Sequence, residues 1–177
     1  IRRLTNKTPF TIMIEVKNVT KSFDDKTILH DVSAKFHAGM TNLIIGQSGS
    51  GKTVLVKSII GLVEPEKGEI LYDGRDFLKM TLPQKKQLRT EIGMLFQGSA
   101  LFDNETVLGN VMFPLKMFSN MTPAEMKDRA EFCIERVNLK GADNKFPVEI
   151  SGGMQKRVAI ARAIALNPKY LFCDEPN

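Results

Sequence analysis

The sequence has few cysteines, no long apolar run and no cluster of like charges. Its two cysteines, Cys133 and Cys173, lack both metal-ligand spacing and the number needed for a disulfide framework, so we expect reduced core residues. The apolar stretch 158–166 is interrupted by Arg162 and is far shorter than the roughly 20 residues that span a bilayer. A membrane role would therefore require a partner.

The charge pattern also excludes several functions. The net charge is +5, but the lysines are scattered without a run of five like charges, so no nucleic-acid partner is expected. Basic residues near the start (Arg2, Arg3 and Lys7) are not followed by the apolar segment of a secretory signal. With 42% apolar and 25% charged residues, the composition is that of a soluble protein, and we expect a cytoplasmic location.

The first part of the chain predicts strands and then a strand, loop and helix. Ile12, Ile14 and Val16 alternate with polar residues, and a turn at 24–25 leads to a second strand over 27–36, which indicates antiparallel pairing. The segment 42–45, which contains Leu43, Ile44 and Ile45, predicts a short apolar strand that runs into glycines. A helix is expected to follow over 54–60.

Further strands are predicted over 68–72, 92–96 and 170–173, with a short helix begun by a Thr-x-x-Gln box at Thr81. Thr122, Pro123 and Glu125 form a strong helix start. Another helix should run from Ser151 to a point before Asn167-Pro168.

The stretch "GQSGSGKT" matches the phosphate-loop pattern in full. Its glycines permit a backbone that turns N–H groups inward, and the following helix adds its positive dipole end. Lys52 would reach the β and γ phosphates of ATP, and the Thr53 hydroxyl would bind Mg²⁺. The predicted nucleotide-binding residues here are Gly46, Ser48, Gly49, Ser50, Gly51, Lys52, Thr53 and Val54.

Asp174 follows the apolar strand 170–173 and is predicted to hold the magnesium shell. Ligand-binding groups lie at the carboxyl edge of parallel sheets, which suits this position. Many strands end in an acidic turn, so the signal is weak by itself. Together with Lys52 it becomes strong.

The segment "ISGGMQKRVAIARAI", residues 150–164, resembles the signature motif of ATP-binding cassette (ABC) ATPases. In isolation Ser-Gly-Gly could be a capped turn, but it lies after Lys52 and before Asp174, in the family's order. The resemblance implies an α/β P-loop NTPase (RecA-like) core of ABC type within one domain over 1–177. It implies an antiparallel β subdomain at about 11–40, core segments at about 41–97 and 167–177, and a helical subdomain at about 98–166.

The resemblance also implies roles for single residues. Ser151, Gly152 and Gly153 would bind the γ-phosphate held by a second copy, as a homodimer closes over ATP. Gln97 would sense Mg²⁺ and the attacking water, and it would act in catalysis together with Lys52. The Mg²⁺ ligands would be Thr53, Gln97 and Asp174. Glu175 would be the general base. Phe23 would stack on adenine or, equally, pack in the core. Met154 departs from the glutamine of the common signature.

The stretch 96–115 and the Gly-Gly-Met-Gln-Lys-Arg signature are similar to the ATPase subunit of bacterial Mla-type phospholipid transporters. This resemblance implies a membrane permease as partner, a possible MCE-type lipid-binding protein, and a peripheral location on the inner face of the membrane. Leu101 and Phe102 would lie near the groove for the permease, or would pack inside the helical subdomain.

The motifs missing after Glu175 and the other functions of the family leave alternatives open. The family's D-loop and switch histidine are missing, because His30 and His37 both precede the phosphate loop. We therefore expect a chain cut off after Glu175 that binds and hydrolyses nucleotide poorly. A second alternative is a soluble ABC-type ATPase that acts on ribosomes or nucleic acid. Ribosomal types carry two cassettes in one chain and stay open, although the transporter-like stretch after Gln97 weighs against them. Repair types insert a long coiled coil, which the 53 residues 98–150 exclude. A nucleotide-binding module without turnover is the third alternative.

Overall fold

The computed structural model describes residues 11–174, apart from the side chain of Ile12. The strands are β1 (Ile12–Phe23), β2 (Lys26–His37), β3 (Lys67–Tyr72), β4 (Arg75–Asp76), β5 (Ile92–Leu95) and β6 (Tyr170–Cys173). The helices are α1 (Lys52–Ile59), α2 (Leu82–Thr90), α3 (Val107–Phe118), α4 (Pro123–Arg136) and α5 (Gly152–Ile164), with a short 3-10 helix at Pro147–Glu149. Within residues 11–174, none of the helices has both the length and the apolar character to cross a bilayer. The chain forms two compact units, Ile1–Lys85 and Lys86–Asn177.

The first unit contains a four-stranded sheet in the order β2-β1-β3-β4, with antiparallel pairing throughout. Val16 pairs with Ala34 on one side and with Ile70 on the other, and both Val16 and Ile70 are buried. The buried hydroxyl of Tyr72 on β3 donates a hydrogen bond of 2.9 Å to the carbonyl of Ile59, which fixes the end of α1. The predicted antiparallel opening section is confirmed.

The strand predicted over 42–45 does not form. Leu43 and Ile45 are 80% and 88% exposed, and no strand among the described residues pairs with this segment. Apolar residues stabilise a strand only where neighbouring backbone completes the hydrogen-bond ladder and other side chains cover them. The helix that follows is confirmed, although it begins at Lys52 and not at residue 54.

The second unit combines a helical core with a parallel strand pair. Gly93 of β5 packs closely against α5, since a Cβ at this position would meet the carbonyl of Ala163. The sequence patterns did not predict α3, although it supplies Val107, Val111 and Leu115 to the core. The buried cluster of this unit is Val107, Val111, Leu115, Ala130, Cys133, Ile134, Leu139, Ala142, Ile150, Val158, Ala161 and Ala165.

The helix starts predicted at Thr81, Thr122 and Ser151 are confirmed, but one cysteine prediction is wrong. Thr122 and Glu125 form a reciprocal capping box at the start of α4. Cys133 is buried as expected, whereas Cys173 is exposed. Successive side chains of a strand point to opposite faces, and Cys173 shares the exposed face of β6 with Leu171, which is 52% exposed.

Candidate functional site

The phosphate loop is a glycine turn that leads into α1. Gly49 and Gly51 have φ values of 77° and 90°, a region that disfavours other residues. The Ser50 N–H donates to the Gln47 carbonyl at 3.2 Å, which closes the turn. A Cβ on Gly46 would lie 2.7 Å from the Ser50 hydroxyl oxygen, so the loop also needs glycine where it begins.

Gly51 anchors the start of α1 against β2. A Cβ at Gly51 would lie 3.1 Å from side-chain carbons of both Ile28 and Leu29. The carbonyl of Gly51 accepts a hydrogen bond of 2.8 Å from the Leu55 N–H, the first turn of the helix. The loop residues before Gly51, including Ser48, are exposed, whereas Gly51 itself is buried. The loop is therefore open to solvent but fixed at its helical end.

Lys52 is the centre of this loop. Its Nζ donates to the carbonyls of Gly46 and Gln47, each at 2.9 Å. A lysine ammonium has three N–H donors, so these two bonds hold the amine in the loop and leave one donor for an anion. Thr53 and Val54 follow in the first turn of α1, where backbone N–H groups attract negative charge. Together these groups suit a polyphosphate.

Phe23 ends β1 opposite Lys26. It is 46% exposed, and the Lys21 Nζ lies 5.1 Å from its ring centroid, so the core alternative is wrong. Lys26, the partner of Phe23, is two residues from Ile28 on β2, a distance of about 7 Å along the strand. Ile28 in turn lies beside Gly51 of the phosphate loop. An exposed aromatic ring therefore lies near the phosphate loop, where a nucleobase could stack.

Gln97 and Asp174 lie at the same edge of the parallel pair β5-β6. Leu95 pairs with Cys173, and the Asp174 N–H donates to the Leu95 carbonyl at 3.0 Å. Gln97 is exposed, and Asp174 is buried at 8% exposure. The predicted carboxyl-edge arrangement is present, since both residues follow the carboxyl ends of neighbouring parallel strands. Among the described residues no group of three His, Cys, Asp or Glu side chains could hold a metal.

The signature residues lie at the start of α5. The Ser151 hydroxyl accepts a hydrogen bond of 3.3 Å from the Met154 N–H and caps the helix. Gly152 and Gly153 are exposed, and a Cβ on either would meet nothing within 4 Å. This helix start is therefore accessible to a ligand or to another chain. The predicted general base, Glu175, lies outside the described residues.

Two functional candidates escaped the sequence analysis. The Arg162 guanidinium donates to the carbonyls of Ser99 and Ala100, both at 2.8 Å. Asn110 is fully buried and holds the N–H and the carbonyl of Phe102 at 2.8 and 3.0 Å. Both side chains interrupt apolar helical patterns, which is the signal that could have identified them.

Part of the loop after Gln97 is apolar and exposed. Phe102 and Phe113 are each 39% exposed, with ring centroids 4.6 Å apart. Met117 is also exposed, one helical turn beyond Phe113 on α3. Leu101 instead packs against the buried cluster. The packing alternative therefore holds for Leu101, whereas Phe102 is exposed. Phe102 and Phe113 together form an exposed aromatic surface.

Comparison with known proteins gives a consistent result. The ABC transporter family model matches residues 29–177. The chain is 42% identical to the probable ribonucleotide transport ATP-binding protein mkl of Mycobacterium leprae over 96% of its own length and 49% of that protein. It is 40% identical to the intermembrane phospholipid transport system ATP-binding protein MlaF of Haemophilus influenzae, over 93% of the chain and 62% of that protein.

A solved structure gives the same fold. It is the dimeric post-hydrolysis state of the ATP-binding cassette MJ0796 bound to ADP and Pi, with a TM-score of 0.84 and 34% identity over 93% of this chain and 75% of that one. Other relatives at 43% and 41% identity are named for spermidine/putrescine import and methionine import. The chain thus spans about half the length of the first curated relatives, at 49%, and the relatives differ in what they transport.

Proposed function

Because this chain belongs to the ABC transporter family, as an ATP-binding domain with the P-loop NTPase fold, we propose that it binds and hydrolyses ATP to energise a transporter. The observation that carries this proposal is Lys52, whose amine is held inside a complete phosphate loop with a donor left for an anion. The relative bound to ADP and Pi supports the same chemistry.

The residues of the first unit would bind the nucleotide. The loop amides of 46–53 and the start of α1 would hold the phosphates, with Lys52 at the β and γ positions. The exposed ring of Phe23 would stack on adenine. Such contacts orient the γ-phosphate for attack by water, and orientation with electrostatic stabilisation supplies most of the catalysis in phosphoryl transfer.

The residues that would hold Mg²⁺ are Thr53, Gln97 and Asp174. Their oxygen atoms are the ligand type that Mg²⁺ prefers, and the ion keeps several waters and substrate phosphates, so few protein ligands suffice. When bound, Mg²⁺ neutralises charge on the phosphate oxygens. Buried Asp174 is held in place by its backbone bond to Leu95. Glu175 would accept the proton of the attacking water.

The proposed assembly is a homodimer attached to a membrane permease. The exposed helix start at 151–153 would complete the nucleotide site of the other copy. The aromatic surface of Phe102 and Phe113 would contact the permease, since exposed aromatic pairs are common at interfaces. The chain would then lie on the cytoplasmic face of the membrane.

For the cargo we propose a phospholipid, with an MCE-type lipid-binding protein as a further partner. The resemblance over 96–115 and the relative named for intermembrane phospholipid transport support this choice. The test reconstitutes the complete gene product with its permease in vesicles that carry a labelled phospholipid. ATP-dependent transfer that is lost with Lys52→Ala is expected. Stimulation of hydrolysis by spermidine or methionine instead would contradict the lipid assignment.

Hydrolysis is tested with Glu175→Gln in the complete gene product. We expect phosphate release to be lost while ATP-driven dimerisation is retained, because the substitution removes the base and leaves the binding loop intact. A matched control is Glu64→Gln, at an exposed carboxyl in the first unit. Dimerisation without any hydrolysis in the wild type would identify a nucleotide-binding module, the second candidate function.

A further inference from the structure

The turn after Gln97 has an unusual backbone. Gly98, Ser99 and Ala100 have successive φ values of 80°, 60° and 47°. Residues with side chains rarely adopt this left-handed conformation, and a run of them persists only where surrounding contacts hold it. The turn directly follows the residue proposed to contact Mg²⁺ and the attacking water. Its conformation therefore fixes the direction in which the chain leaves Gln97.

Arg162 supplies contacts that hold this turn. One guanidinium nitrogen donates to the Ala100 carbonyl and another to the Ser99 carbonyl, each at 2.8 Å, and the guanidinium carbon lies 5.8 Å from the Phe102 ring centroid. A planar fork with several donors can engage two successive carbonyls, which the single ammonium of lysine cannot do in the same geometry. Arg162 lies on α5, the helix capped by Ser151.

A second side chain fixes the far end of the segment. Asn110 of α3 accepts a hydrogen bond from the Phe102 N–H and donates to the Phe102 carbonyl. Phe102 also contacts the ring of Phe113 on α3. The segment 99–102 is therefore held by Arg162 on one helix and by Asn110 on another.

We propose that Arg162 is a positioning residue that holds the turn after Gln97 and links this turn to the signature helix α5. Its guanidinium donates to the Ser99 and Ala100 carbonyls, and no nucleotide contact is proposed for it. Loss of the guanidinium would leave the phosphate loop unchanged but would let Gln97 and Phe102 leave their positions. The effect on hydrolysis rests on the proposed function, whereas the effect on the backbone does not.

The test uses the complete gene product, assembled with its membrane partner, as Arg162→Ala and Arg162→Lys. With Arg162→Ala we expect amide exchange in 98–102 to rise about tenfold, since two charge-assisted hydrogen bonds are lost. We expect kcat for Mg-ATP to fall about tenfold to a hundredfold with KM nearly unchanged, because a small displacement near the reacting atoms slows the chemical step. Arg162→Lys should be intermediate in both measurements.

Arg136→Ala is the matched control, because Arg136 is an exposed arginine of the same unit that lies over the Phe132 ring. It should match the wild type in exchange and in kcat. The proposal is overturned if Arg162→Ala leaves exchange in 98–102 unchanged, if KM rises as much as kcat falls, or if Arg162→Lys restores both fully. A wild type without hydrolysis would refute the proposed function alone, since exchange still decides the role of Arg162. If Arg162→Ala does not fold, Arg162→Lys gives both measurements.

Discussion

The phosphate loop and the turn after Gln97 are held in different ways. The phosphate loop, 46–51, is exposed except at Gly51, and the side chain that holds it is Lys52, the same group that would bind the phosphates. The turn 98–102 is held by Arg162 and Asn110, which are not proposed to touch the nucleotide. Ligand binding and loop shape are thus coupled in the first case, whereas the second segment is fixed by hydrogen bonds from side chains that are not proposed to bind the ligand.

This difference predicts separate consequences for substitutions. A change of the exposed residues 46–50 or of Lys52 should act mainly on nucleotide affinity, whereas a change at buried Gly51, which contacts β2, should also act on stability. A change at the residues that hold 98–102 should act on stability and on turnover. Substitutions at Lys52 and Gly51 test the phosphate loop, a substitution at Asn110 tests the turn, and Glu125 adds a capping contact that belongs to neither segment.

The largest effect is expected for Lys52→Ala. The substitution removes both the bonds to the Gly46 and Gln47 carbonyls and the charge that would face the phosphates. We expect ATP affinity of the complete gene product to fall by about 100-fold or more, since charge-assisted bonds to phosphate are among the strongest hydrogen bonds. Calorimetric titration with ATP measures this. Lys67→Ala, at an exposed lysine of β3, should bind as the wild type does. Equal affinity in both variants would contradict the phosphate-loop assignment.

Asn110→Ala is expected to destabilise the second unit. Asn110 is fully buried, and its amide also donates to the Glu105 and Thr106 carbonyls at 3.1 and 3.0 Å. Alanine would leave the Phe102 N–H unpaired, so we expect the free energy of unfolding to fall by about 2 kcal/mol. Denaturant titration followed by circular dichroism measures it. Lys116→Ala, at an exposed position of α3, should change little. A loss as small as that of this control would show that Asn110 does not fix the loop.

A smaller loss of stability is expected for Gly51→Ala. The φ of 90° disfavours alanine, and the new Cβ would lie 3.2 Å from the Ile28 carbonyl oxygen as well as close to side chains of β2. We expect a loss of about 1.5 kcal/mol in the free energy of unfolding. Gly49→Ala, with a φ of 77° and nothing within 4 Å of its Cβ, carries only the backbone cost and should lose less. Equal losses would mean that the contact with β2 does not matter.

The smallest effect is expected at the exposed capping box of Thr122 and Glu125, at the start of α4. Glu125 accepts hydrogen bonds from the backbone N–H and the hydroxyl of Thr122 at 2.7 and 2.8 Å, and these bonds lower the pKa of its carboxyl. A lowered pKa in the folded chain stabilises it above the ordinary carboxyl pKa, and this contribution is lost as pH falls through the lowered value. The melting temperature of the wild type should therefore exceed that of Glu125→Gln at pH 7, and the difference should shrink as the pH falls below the ordinary carboxyl pKa. If the difference in melting temperature stayed constant with pH, the ionised Glu125 carboxylate would not be what stabilises the helix start.

Local patterns predicted much of the fold and of the candidate site. The phosphate loop, the cap at Thr122 and the strand 170–173 depend on neighbouring residues, so the sequence indicates them directly. The failures depend on distant partners. Residues 42–45 have strand-like composition but form no ladder among the described residues, and Cys173 is exposed because of the face on which its strand places it.

Arg162 shows the same limit at the candidate site. It donates hydrogen bonds to carbonyls that lie 62 and 63 residues earlier in the sequence, which no local pattern reveals. Asn110 is similar, because an asparagine within an apolar helix predicts an unusual position but not its partner. Such residues need the tertiary structure, since their function is a contact and not a motif.

The most direct test of the account is steady-state phosphate release from ATP by the purified complete gene product, with and without Mg²⁺. The account predicts release that saturates with ATP, requires Mg²⁺ and disappears when Lys52 is replaced by alanine. Phosphate release that persists unchanged in Lys52→Ala, or no release by a folded wild type in complex with its membrane partner, would contradict the claim that this chain is the ATP-hydrolysing part of a transporter.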